Sequence, residues 1–569
     1  MRVIDTRRLT GPNLFARVPL VIVELAFDEG DVLERARVAY EAELARMRAA
    51  VGLPPHATVL VRAHEGGAVF AHEESIDAML AAAEASEWAA LGASEVLAGR
   101  EPLALDPKRA EVLALLAAHG NPRLLALEAE AKRRALPLLW DDTHVTVGAG
   151  RRSKTFAIDA LPDVRDVAFG ELGTIPIALV TGTNGKTTSS RLLARIAREA
   201  GFRVGNTTSD GITIDGEAIE EGDWTGPSAA REVLRRTDVD FAVLETARGG
   251  ILRRGLAVDG YDCALITNVS DDHLGLYGID DLAAMTRVKA VIAHAVRADG
   301  TVVLNAHDPN LVTLAHSLAT AVTFFADLGD GSGARDEAAC DVVRAHRAAG
   351  GSVVVAEGGV IVCARGGNDT HLVRIDEVPI TFGGAARYNV ENVLGVVGAA
   401  RALGLPDDAI ARALRGFGTG DNPRRGELVE RAGVRVLLDF GHNPAGVRAV
   451  MRLVAARRGT GRLTVITGSA GDRSNREIES IAKILCDARP DRIFVRELPD
   501  YLRGRKLGEV PDVFRRAFAA LGFPGSSFAI VASETEAMRR AFEDAKPGDF
   551  IVLLIHVDHD PIRAFLAAN

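Results

Sequence analysis

The sequence predicts an α/β protein of three domains, in which a mainly parallel sheet carries a phosphate-binding turn. The chain has 569 residues, more than one hydrophobic core usually organises. From residue 176 onward, short apolar runs alternate with glycine turns and helical patterns, which is typical of a parallel sheet covered by helices. One of these turns, at residues 181–188, combines glycines and threonines with a lysine. We therefore expect this turn to hold phosphate oxygens.

The N-terminal part, residues 1–168, predicts an α+β domain that lacks a glycine-rich phosphate turn. An extended segment at 18–23 precedes helical patterns at 35–51 and 75–97, and two shorter helical patterns follow. The charged segment 163–166 and the glycine-containing segment 170–173 predict a linker to the next domain.

Residues 169–420 predict a central domain with a parallel sheet, and residues 421–569 predict a C-terminal, Rossmann-like α/β domain. Strands of the central domain are expected at 175–180, 241–244, 263–267 and 300–305. Its helices are expected at 189–200, 282–298 and 389–403, and short β segments at 327–380. Strands of the C-terminal domain are expected at 434–438, 463–466, 492–495 and 550–554. A glycine- and proline-rich hinge separates the two domains at 416–425.

The turn at 181–188 reads Thr-Gly-Thr-Asn-Gly-Lys-Thr-Thr and lies between an apolar strand and an amphipathic helix. Such a turn directs backbone N–H groups and a helix N-terminus at one point. Lys186 adds a mobile positive charge, and the Thr187 hydroxyl can ligate magnesium. Val180 stands where the first glycine of the common P-loop would be. We predict a nucleoside triphosphate site whose contacts come from Thr183, Asn184, Gly185, Lys186, Thr187 and Thr188.

Polar residues follow two further strands of the predicted sheet. Glu245 ends one strand, and Asp271, Asp272 and His273 follow the next. Because ligands bind at the carboxyl ends of parallel strands, these side chains suit metal ions beside a triphosphate. Glu245 with Thr187 is the candidate first metal site and His273 a ligand of a second. A strand-end carboxylate that merely faces solvent is the alternative for Glu245.

Composition narrows the classes of partner. The net charge of −10 argues against nucleic acid as a general partner. The four cysteines are scattered without metal or disulfide spacing, and no apolar secretory segment follows Met1. The apolar runs have strand length, which argues against a membrane span. We expect a cytoplasmic protein with small-molecule or peptide substrates; a homo-oligomer stays open.

Several motifs together resemble the successive signatures of the Mur ligase superfamily. They are the turn at 181–188, Thr267-Asn268-Val269 with Asp272-His273-Leu274, the Asn-Val-Glu-Asn run at 389–392, and Asp-Phe-Gly-His-Asn-Pro at 439–444. Within the superfamily, the ligase half of the cyanophycin synthetase family is similar at residues 207–213, 225–228, 244–253 and 502–505. Residues 9–13 resemble the opening of that family's N-terminal domain.

One departure from the cyanophycin synthetase family concerns the number of ligation steps. That family has an ATP-grasp domain between its N-terminal domain and its Mur-like half. Here residues 145–154, which resemble the end of the N-terminal domain, run almost directly into the turn at 181–188. No ATP-grasp domain fits between them. We therefore expect one ligation step to be missing, so that this chain alone does not make an alternating Asp/Arg polymer.

The resemblance implies an ATP-dependent ligase that uses magnesium and forms an amide bond through an acyl phosphate. Its nearest model is the addition of arginine to an aspartate-type side-chain carboxylate. A ligase that adds another amino acid, such as glutamate, to a different small carboxylate is one alternative. A non-catalytic nucleotide-binding partner of a polymer synthetase is another. The N-terminal domain has no chemistry assigned to it from the sequence.

The resemblance also assigns roles to residues around the nucleotide. Lys186 and two magnesium ions would neutralise the phosphates, and Lys289, carbamylated, would bridge to the second metal. A plain surface lysine is the alternative for Lys289. Asn389 and Asn392, three apart on a helix, would both contact adenine.

Further residues are expected from the C-terminal domain and from the strand that ends at Glu245. Arg425 would reach the nucleotide, and the preceding Arg424 replaces a usual glycine. Arg248 and Arg253, close after Glu245, would clamp the carboxylate substrate, with a solvated loop as the alternative. The expected lining of the cleft from the C-terminal domain is Asp439, His442 and Asn443, and the expected catalytic set is Lys186, Arg248, His273 and Lys289.

Overall fold

The computed structural model describes residues 1–55, 58–272, 274–329 and 336–567, and the N-terminal region is built on a four-stranded antiparallel sheet. The sheet has the order β1-β2-β4-β3, and a three-stranded sheet with the order β5-β6-β7 follows. The strands are β1 (Arg2–Leu9), β2 (Leu20–Ala26), β3 (Leu60–His64), β4 (Gly67–Glu73), β5 (Leu138–Trp140), β6 (His144–Val147) and β7 (Lys154–Ala157). The helices are α1 (Leu33–Val51), α2 (Met79–Leu97), α3 (Asp106–His119) and α4 (Pro122–Arg133).

The central strands β2 and β4 are buried along almost their whole length because helices cover one face and loops the other. Tyr40 of α1 contacts Phe70 of β4 within this core. The segments 163–166 and 170–173, expected as a linker, are instead packed onto the N-terminal region, where Val164 and Leu172 are partly buried. Val167 and Phe169 are buried there against α4 and the three-stranded sheet. The charges of this part of the chain face solvent while its apolar side chains face inward. Its charged and glycine-containing composition therefore did not indicate a linker.

The middle of the chain forms one eleven-stranded sheet with helices on both faces, and the predicted α/β class is confirmed. The sheet order is β11-β10-β9-β12-β8-β13-β14-β15-β16-β17-β18. Its first strands are β8 (Ile177–Thr181), β9 (Val204–Thr208), β10 (Gly211–Ile214), β11 (Glu217–Glu221), β12 (Phe241–Glu245) and β13 (Tyr261–Ile266). They are followed by β14 (Val296–Asn305), β15 (Ala321–Asp327), β16 (Ser352–Glu357), β17 (Val360–Arg365) and β18 (Asn368–Arg374).

The strands from β9 to β16 in this order run parallel, and an antiparallel pair extends each end of the sheet. The covering helices are α5 (Lys186–Glu199), α6 (Pro227–Leu234), α7 (Arg248–Arg254), α8 (Leu282–His294), α9 (Pro309–Ala315), α10 (Glu337–Ala348), α11 (Arg387–Ala402) and α12 (Asp407–Gly416). Since both faces are covered, β8 and β12 are buried at every residue, and β13 is buried at every residue except Asp262. The helix expected at 282–298 ends at His294, because Val296 already pairs with Tyr261 in the sheet.

The C-terminal region is a six-stranded sheet with the order β19-β20-β24-β21-β22-β23, in which only the pair β19 and β20 is antiparallel. Its strands are β19 (Arg425–Arg431), β20 (Val434–Asp439), β21 (Leu463–Thr467), β22 (Arg492–Arg496), β23 (Phe528–Val531) and β24 (Phe550–Leu554). Its helices are α13 (Pro444–Arg457), α14 (Asn475–Asp487), α15 (Glu509–Ala520), α16 (Glu534–Glu543) and α17 (His559–Ala567).

A buried ion pair fixes the carboxyl edge of this C-terminal sheet. Arg496, at the end of β22, and Glu534, the first residue of α16, are each 1% exposed and lie 2.7 Å apart (Nε to Oε1). The same carboxylate accepts backbone N–H groups from His556, Val557 and Asp558, at 2.6 to 3.1 Å. Glu534 therefore joins α16, β22 and the segment after β24.

We predict that Glu534→Ala lowers the free energy of unfolding by about 3–5 kcal/mol, because it leaves the Arg496 charge buried without its partner. Urea denaturation followed by circular dichroism measures this change. Glu543→Ala, at the exposed end of the same helix, is the matched control and should change stability by less than about 0.5 kcal/mol. Equal stability of the two variants would contradict the conclusion that Glu534 stabilises the fold by joining α16, β22 and the segment after β24.

Candidate active site

The glycine turn joins β8 to α5, and its shape requires glycine at two positions. Gly182 has φ +154°, and a Cβ atom there would lie 1.9 Å from the hydroxyl of Thr267. Gly185 has φ +85° at the start of α5, and its Cβ would lie 2.1 Å from Oδ1 of Asn392. Since neither neighbour belongs to a flexible surface, larger residues would displace the turn.

Residues at the end of β13 hold the turn in place. The backbone N–H of Asn184 donates to Oδ1 of Asn268 at 3.0 Å, and the Asn268 amide donates back to the Asn184 carbonyl at 3.1 Å. The Thr267 hydroxyl donates to the same carbonyl at 2.6 Å. The Thr-Asn pair of the predicted signature is thus the structural support of the turn.

The turn opens into a cavity of about 440 Å³ between the central and C-terminal regions. The structure brings residues from distant parts of the sequence together on its wall. Those that the sequence predicted are Thr183, Asn184, Gly185, Lys186, Thr187, Thr188, Glu245, Asn392, Arg425, Asp439 and His442.

Glu245, Thr187 and Ser209 form an oxygen-rich corner of this cavity. The hydroxyl oxygens of Thr187 and Ser209 lie 3.2 Å apart, and the Ser209 N–H donates to Oε2 of Glu245 at 3.3 Å. Burial raises the pKa of Glu245, while the charges of Lys186 and Arg425 act in the opposite direction. The side chain is 2% exposed, so the alternative of a solvent-facing carboxylate is wrong.

The donor set of this corner fits magnesium. Magnesium prefers oxygen ligands and is commonly held by one or two carboxylates together with substrate phosphates. Among the described residues, no group of three or more His, Cys, Asp or Glu could hold a metal ion by itself. The corner offers one carboxylate and one hydroxyl beside a phosphate turn, which is the kind of ligand set that magnesium shares with substrate phosphates. His273, the predicted ligand of a second metal, lies outside the described residues.

Two lysines lie close to the turn. Lys186 folds back onto it and donates to the carbonyls of Gly182 and Thr183 at 3.2 and 3.1 Å. Lys289 of α8 is 4% exposed, so it is not the plain surface lysine that the sequence left open. Burial, and then the charge of Lys186, lower the pKa of Lys289 to about 7. A substantial fraction of its amine is therefore neutral near pH 7, which is the form that reacts with CO₂.

Arg425 reaches the turn from the C-terminal region. Its Nη2 lies 3.2 Å from the Ser209 hydroxyl, and its guanidinium lies 4.3 Å from the ring centroid of Phe440. Its Nε is buried and has no partner within the described part of the chain. A buried, unpartnered guanidinium N–H on a cavity wall suits an anionic ligand.

Arg424 occupies the position where the superfamily usually has a glycine, and it has the backbone that glycine favours. Its φ is +63°, and its guanidinium pairs with Asp210. Asp210 also accepts from Arg191 of α5 at 2.6 Å. The strained backbone of Arg424 is thus held by an ion pair that spans the hinge.

The two asparagines at the start of α11 differ in position. Asn392 lies on the cavity wall, whereas Asn389 is 1% exposed and lies behind it. The Asn389 amide donates to the Ile380 carbonyl at 2.9 Å, and its oxygen accepts from Asn392 at 3.2 Å. The expectation that both contact the base therefore needs correction: Asn389 orients Asn392, because its side chain is used inside the protein.

The loop after β20 also divides its residues between the cavity and the domain contact. Burial raises the pKa of Asp439 to about 6 and lowers that of His442 to about 4, and both line the cavity. Asn443 does not. It is fully buried, exchanges amide hydrogen bonds with Asn184 at 3.0 and 3.3 Å, and caps α13 through Gly446. Asn443 was expected to contact the substrate; instead, its side chain links the C-terminal region to the glycine turn of the central region.

The arginines of α7 are separated by the helix. Arg248, its first residue, is half-buried and follows the cavity residue Ala247. Arg253 is exposed and donates to the Gly249 carbonyl of its own helix at 3.1 Å. Arg248 therefore lies near the cavity. Arg253 lies on the outer surface, which agrees with the alternative that this arginine is only solvated.

Sequence reasoning gave no role to Ser209, and it named Asp272 only among the strand-end residues that suit metal ions, not as a partner of the C-terminal region. Ser209 follows β9, so the strand-end rule that selected Glu245 would also have selected it. Asp272 pairs with Arg473, which is 5% exposed, and lies 4.0 Å from Nε2 of His442. No local signal in the sequence links Asp272 to these two residues of the C-terminal region.

Comparisons with known proteins agree with this geometry. Residues 180–400 match the model of the Mur ligase middle domain, and residues 424–554 match that of the Mur ligase, glutamate ligase domain. The chain belongs to the Mur ligase family. Together the two matches cover more than half of the chain, and the predicted resemblance to the Mur ligase superfamily is confirmed.

Individual relatives are named as ligases or synthetases. The cyanophycin synthetase of Synechocystis sp. is 36% identical over 394 residues, 68% of this chain and 44% of that protein. This chain thus spans less than half the length of the first such relatives. The UDP-N-acetylmuramoyl-L-alanyl-D-glutamate--2,6-diaminopimelate ligase of Geobacter metallireducens is 28% identical, over 67% of this chain and 73% of that protein.

Among solved structures, a pseudomurein peptide ligase type C from Methanothermus fervidus has 19% identity and a TM-score of 0.48. The match covers 70% of this chain and 82% of that chain.

None of the helices within the described ranges has the length and apolar character needed to span a membrane.

We predict that Lys289→Met stabilises the folded protein near pH 7 in CO₂-depleted buffer. The pKa of Lys289 falls from 10.5 to about 7 on folding. Between these values the unfolded chain binds more protons, so the free energy of unfolding of the wild type rises with pH over this window. Replacing the amine removes that slope.

The variant should therefore exceed the wild type by an amount on the order of a few kcal/mol at pH 7, and the difference should shrink towards pH 10. Urea denaturation at several pH values measures it. Lys483→Met, at an exposed position of α14, is the control and should show no such convergence. A pH-independent difference for Lys289→Met would contradict a depressed pKa.

Proposed function

We propose that this chain is an ATP-dependent ligase that joins a carboxylate to an amine through an acyl phosphate. The observation that carries the proposal is the cavity in which the glycine turn, Lys186, Glu245 and Arg425 meet, with contributions from two regions of the chain. A protein that merely bound a nucleotide would not need a metal-type carboxylate and a second cavity wall with its own arginine and histidine.

The difficulty of the reaction is electrostatic. The substrate carboxylate must approach a triphosphate that already carries several negative charges. Two like charges 4 Å apart repel by about 4 kcal/mol at an effective dielectric constant of 20. Lys186 and Arg425 supply fixed positive charge at this point, and magnesium, held by Thr187 and Glu245, would add its own to the phosphate oxygens.

The reaction then proceeds in two transfers. A carboxylate oxygen attacks the γ-phosphorus of ATP, ADP leaves, and an acyl phosphate forms. The amine attacks the carbonyl carbon, and phosphate leaves as the amide bond forms. His442 is neutral above its pKa of about 4. Its Nδ1 lies 3.1 Å from the Phe440 carbonyl, which leaves Nε2 to accept a hydrogen bond from the amine, and the amine proton leaves with the phosphate.

Closure of the two regions protects the intermediate. The reciprocal Asn184–Asn443 contact and the Asp272–Arg473 ion pair join the walls of the cavity on either side of the turn. An acyl phosphate hydrolyses in water, so a cavity closed by such contacts favours attack by the amine.

For the substrates we propose an aspartate-type side-chain carboxylate and arginine. The support is the similarity to cyanophycin synthetases together with the motifs at 207–213, 244–253 and 502–505. We also propose that the chain works on small molecules or peptides in the cytoplasm and does not bind nucleic acid.

A panel of acceptors tests the function. We expect ATP-dependent phosphate release from the full-length protein with an aspartyl peptide and arginine together, and formation of a product of the corresponding mass. Glutamate and other amino acids, paired with other small carboxylates, test the alternative ligase. Nucleotide binding without phosphate release for any pair would instead favour a non-catalytic partner and contradict the proposal.

We predict that Lys186→Ala lowers kcat for phosphate release by at least about 100-fold, because the developing charge loses its nearest cation. Steady-state phosphate release with a productive pair measures the change. Lys483→Ala, a lysine exposed on α14, is the matched control and should leave the rate unchanged. Undiminished turnover in Lys186→Ala would remove the proposed role of the turn.

A further inference from the structure

The N-terminal region contacts the central region at two elements that lie next to residues of the candidate site in the sequence. One is the loop at 274–280, which begins two residues after Asp272. The other is α7, whose first residue is Arg248. Neither contact is needed to hold the nucleotide turn, which is supported by Thr267 and Asn268.

The side chain of Arg62, in β3, holds the loop at 274–280 through the backbone carbonyls of the loop. Its guanidinium donates to the carbonyls of Tyr277 and Gly278 at 2.8 and 2.5 Å. The Glu65 N–H donates to Oδ2 of Asp280 at 2.9 Å. Because both carbonyls are bonded by a single planar group, the loop has one orientation relative to the N-terminal sheet.

The backbone of the loop shows that this contact is close. Gly278 has φ +62°, and a Cβ atom there would lie 2.5 Å from Cγ of His64. Tyr277 has φ +57°, which is uncommon for a residue with a large side chain. Such a conformation persists where the surroundings determine it, and here Arg62 bonds the Tyr277 carbonyl directly.

The Tyr277 ring connects this contact to α7. Its centroid lies 5.0 Å from the guanidinium carbon of Arg7 in β1 and 6.0 Å from that of Arg248. The ring thus lies between an arginine of the N-terminal region and the arginine expected to bind the substrate carboxylate. A guanidinium beside an aromatic ring is restricted in orientation, which matters for pairing with a planar carboxylate.

The other end of α7 is held by the segment after β1. The Thr10 N–H donates to the Arg254 carbonyl at 2.8 Å, and the Leu256 N–H donates to the Pro12 carbonyl at 2.7 Å. A Cβ atom on Gly11 would lie 2.3 Å from the Leu256 carbonyl oxygen. Both ends of α7 are therefore in contact with, or linked to, the N-terminal region.

We propose that the N-terminal region is part of the acid-binding end of the active site. Arg62 holds the loop at 274–280, and Tyr277 in that loop orients Arg248 towards the substrate carboxylate. Arg62 and Tyr277 are positioning residues, since they act through Arg248. The expected effect on KM rests on the proposed ligase function. The expected effect on hydrogen exchange does not.

Hydrogen exchange on the full-length protein tests the structural link. We expect Arg62→Ala to speed amide exchange at least about tenfold in peptides covering 274–281 and 248–256, with the nucleotide dissociation constant unchanged within about twofold. The matched control is Arg17→Ala, which removes a different contact between the same regions, the ion pair of Arg17 with Asp259 at 2.7 Å, away from the loop. Equal acceleration by the control, or none by Arg62→Ala, would overturn the proposal.

Kinetics test the orientation of Arg248. Tyr277→Ala should raise KM for the acid substrate at least about tenfold while kcat changes less than about threefold, and Tyr277→Phe, which keeps the ring, should behave as the wild type. This variant leaves the Arg62 contacts to backbone carbonyls in place, so it decides the question if Arg62→Ala does not fold. An unchanged KM in Tyr277→Ala would overturn the proposal. If the wild type releases no phosphate with any pair, the ligase function fails, and the exchange result alone supports or overturns the inference.

Discussion

The concentration of positive charge around one glycine turn is the constraint on which the rest of this structure depends. A carboxylate and a triphosphate can meet only where cations offset their repulsion, and water must be excluded before the acyl phosphate forms. The turn supplies backbone N–H groups and Lys186, and Glu245 and Thr187, the proposed ligands of magnesium, line the same cavity. These groups belong to the ends of neighbouring strands, so the parallel sheet fixes their spacing.

The cations of the site come from parts of the chain that are far apart in sequence. Arg425 enters from the C-terminal sheet and contacts Ser209, while Arg248 comes from a helix that the N-terminal region contacts at both ends. Active-site geometry is thus coupled to the packing of all three regions. This coupling is the basis of the role in substrate positioning that we propose for the N-terminal region.

Unfavourable features of the fold are concentrated near this site. Lys289 is buried beside Lys186, and Arg424 and Tyr277 have the left-handed backbone that side chains disfavour. Each is held by a specific contact, such as the ion pair of Arg424 with Asp210 and the bond from Arg62 to the Tyr277 carbonyl. Strain and buried charge of this kind persist where neighbouring structure compensates for them, and they are common at functional sites.

The sequence by itself determined the α/β class, the glycine turn and the strand-end residue Glu245, because each depends on residues adjacent in the chain. It also indicated the hinge that brings Arg425 to the cavity. Tertiary structure decided which of two similar residues faces the ligand. Asn392 lines the cavity while Asn389 supports it, Arg248 stays near the cavity while Arg253 is exposed, and Asn443 ties two regions together. It also paired Asp272 with Arg473, across 201 positions of the chain. Such roles depend on what packs against a side chain, and the packing partner lies too far away in sequence to leave a local pattern.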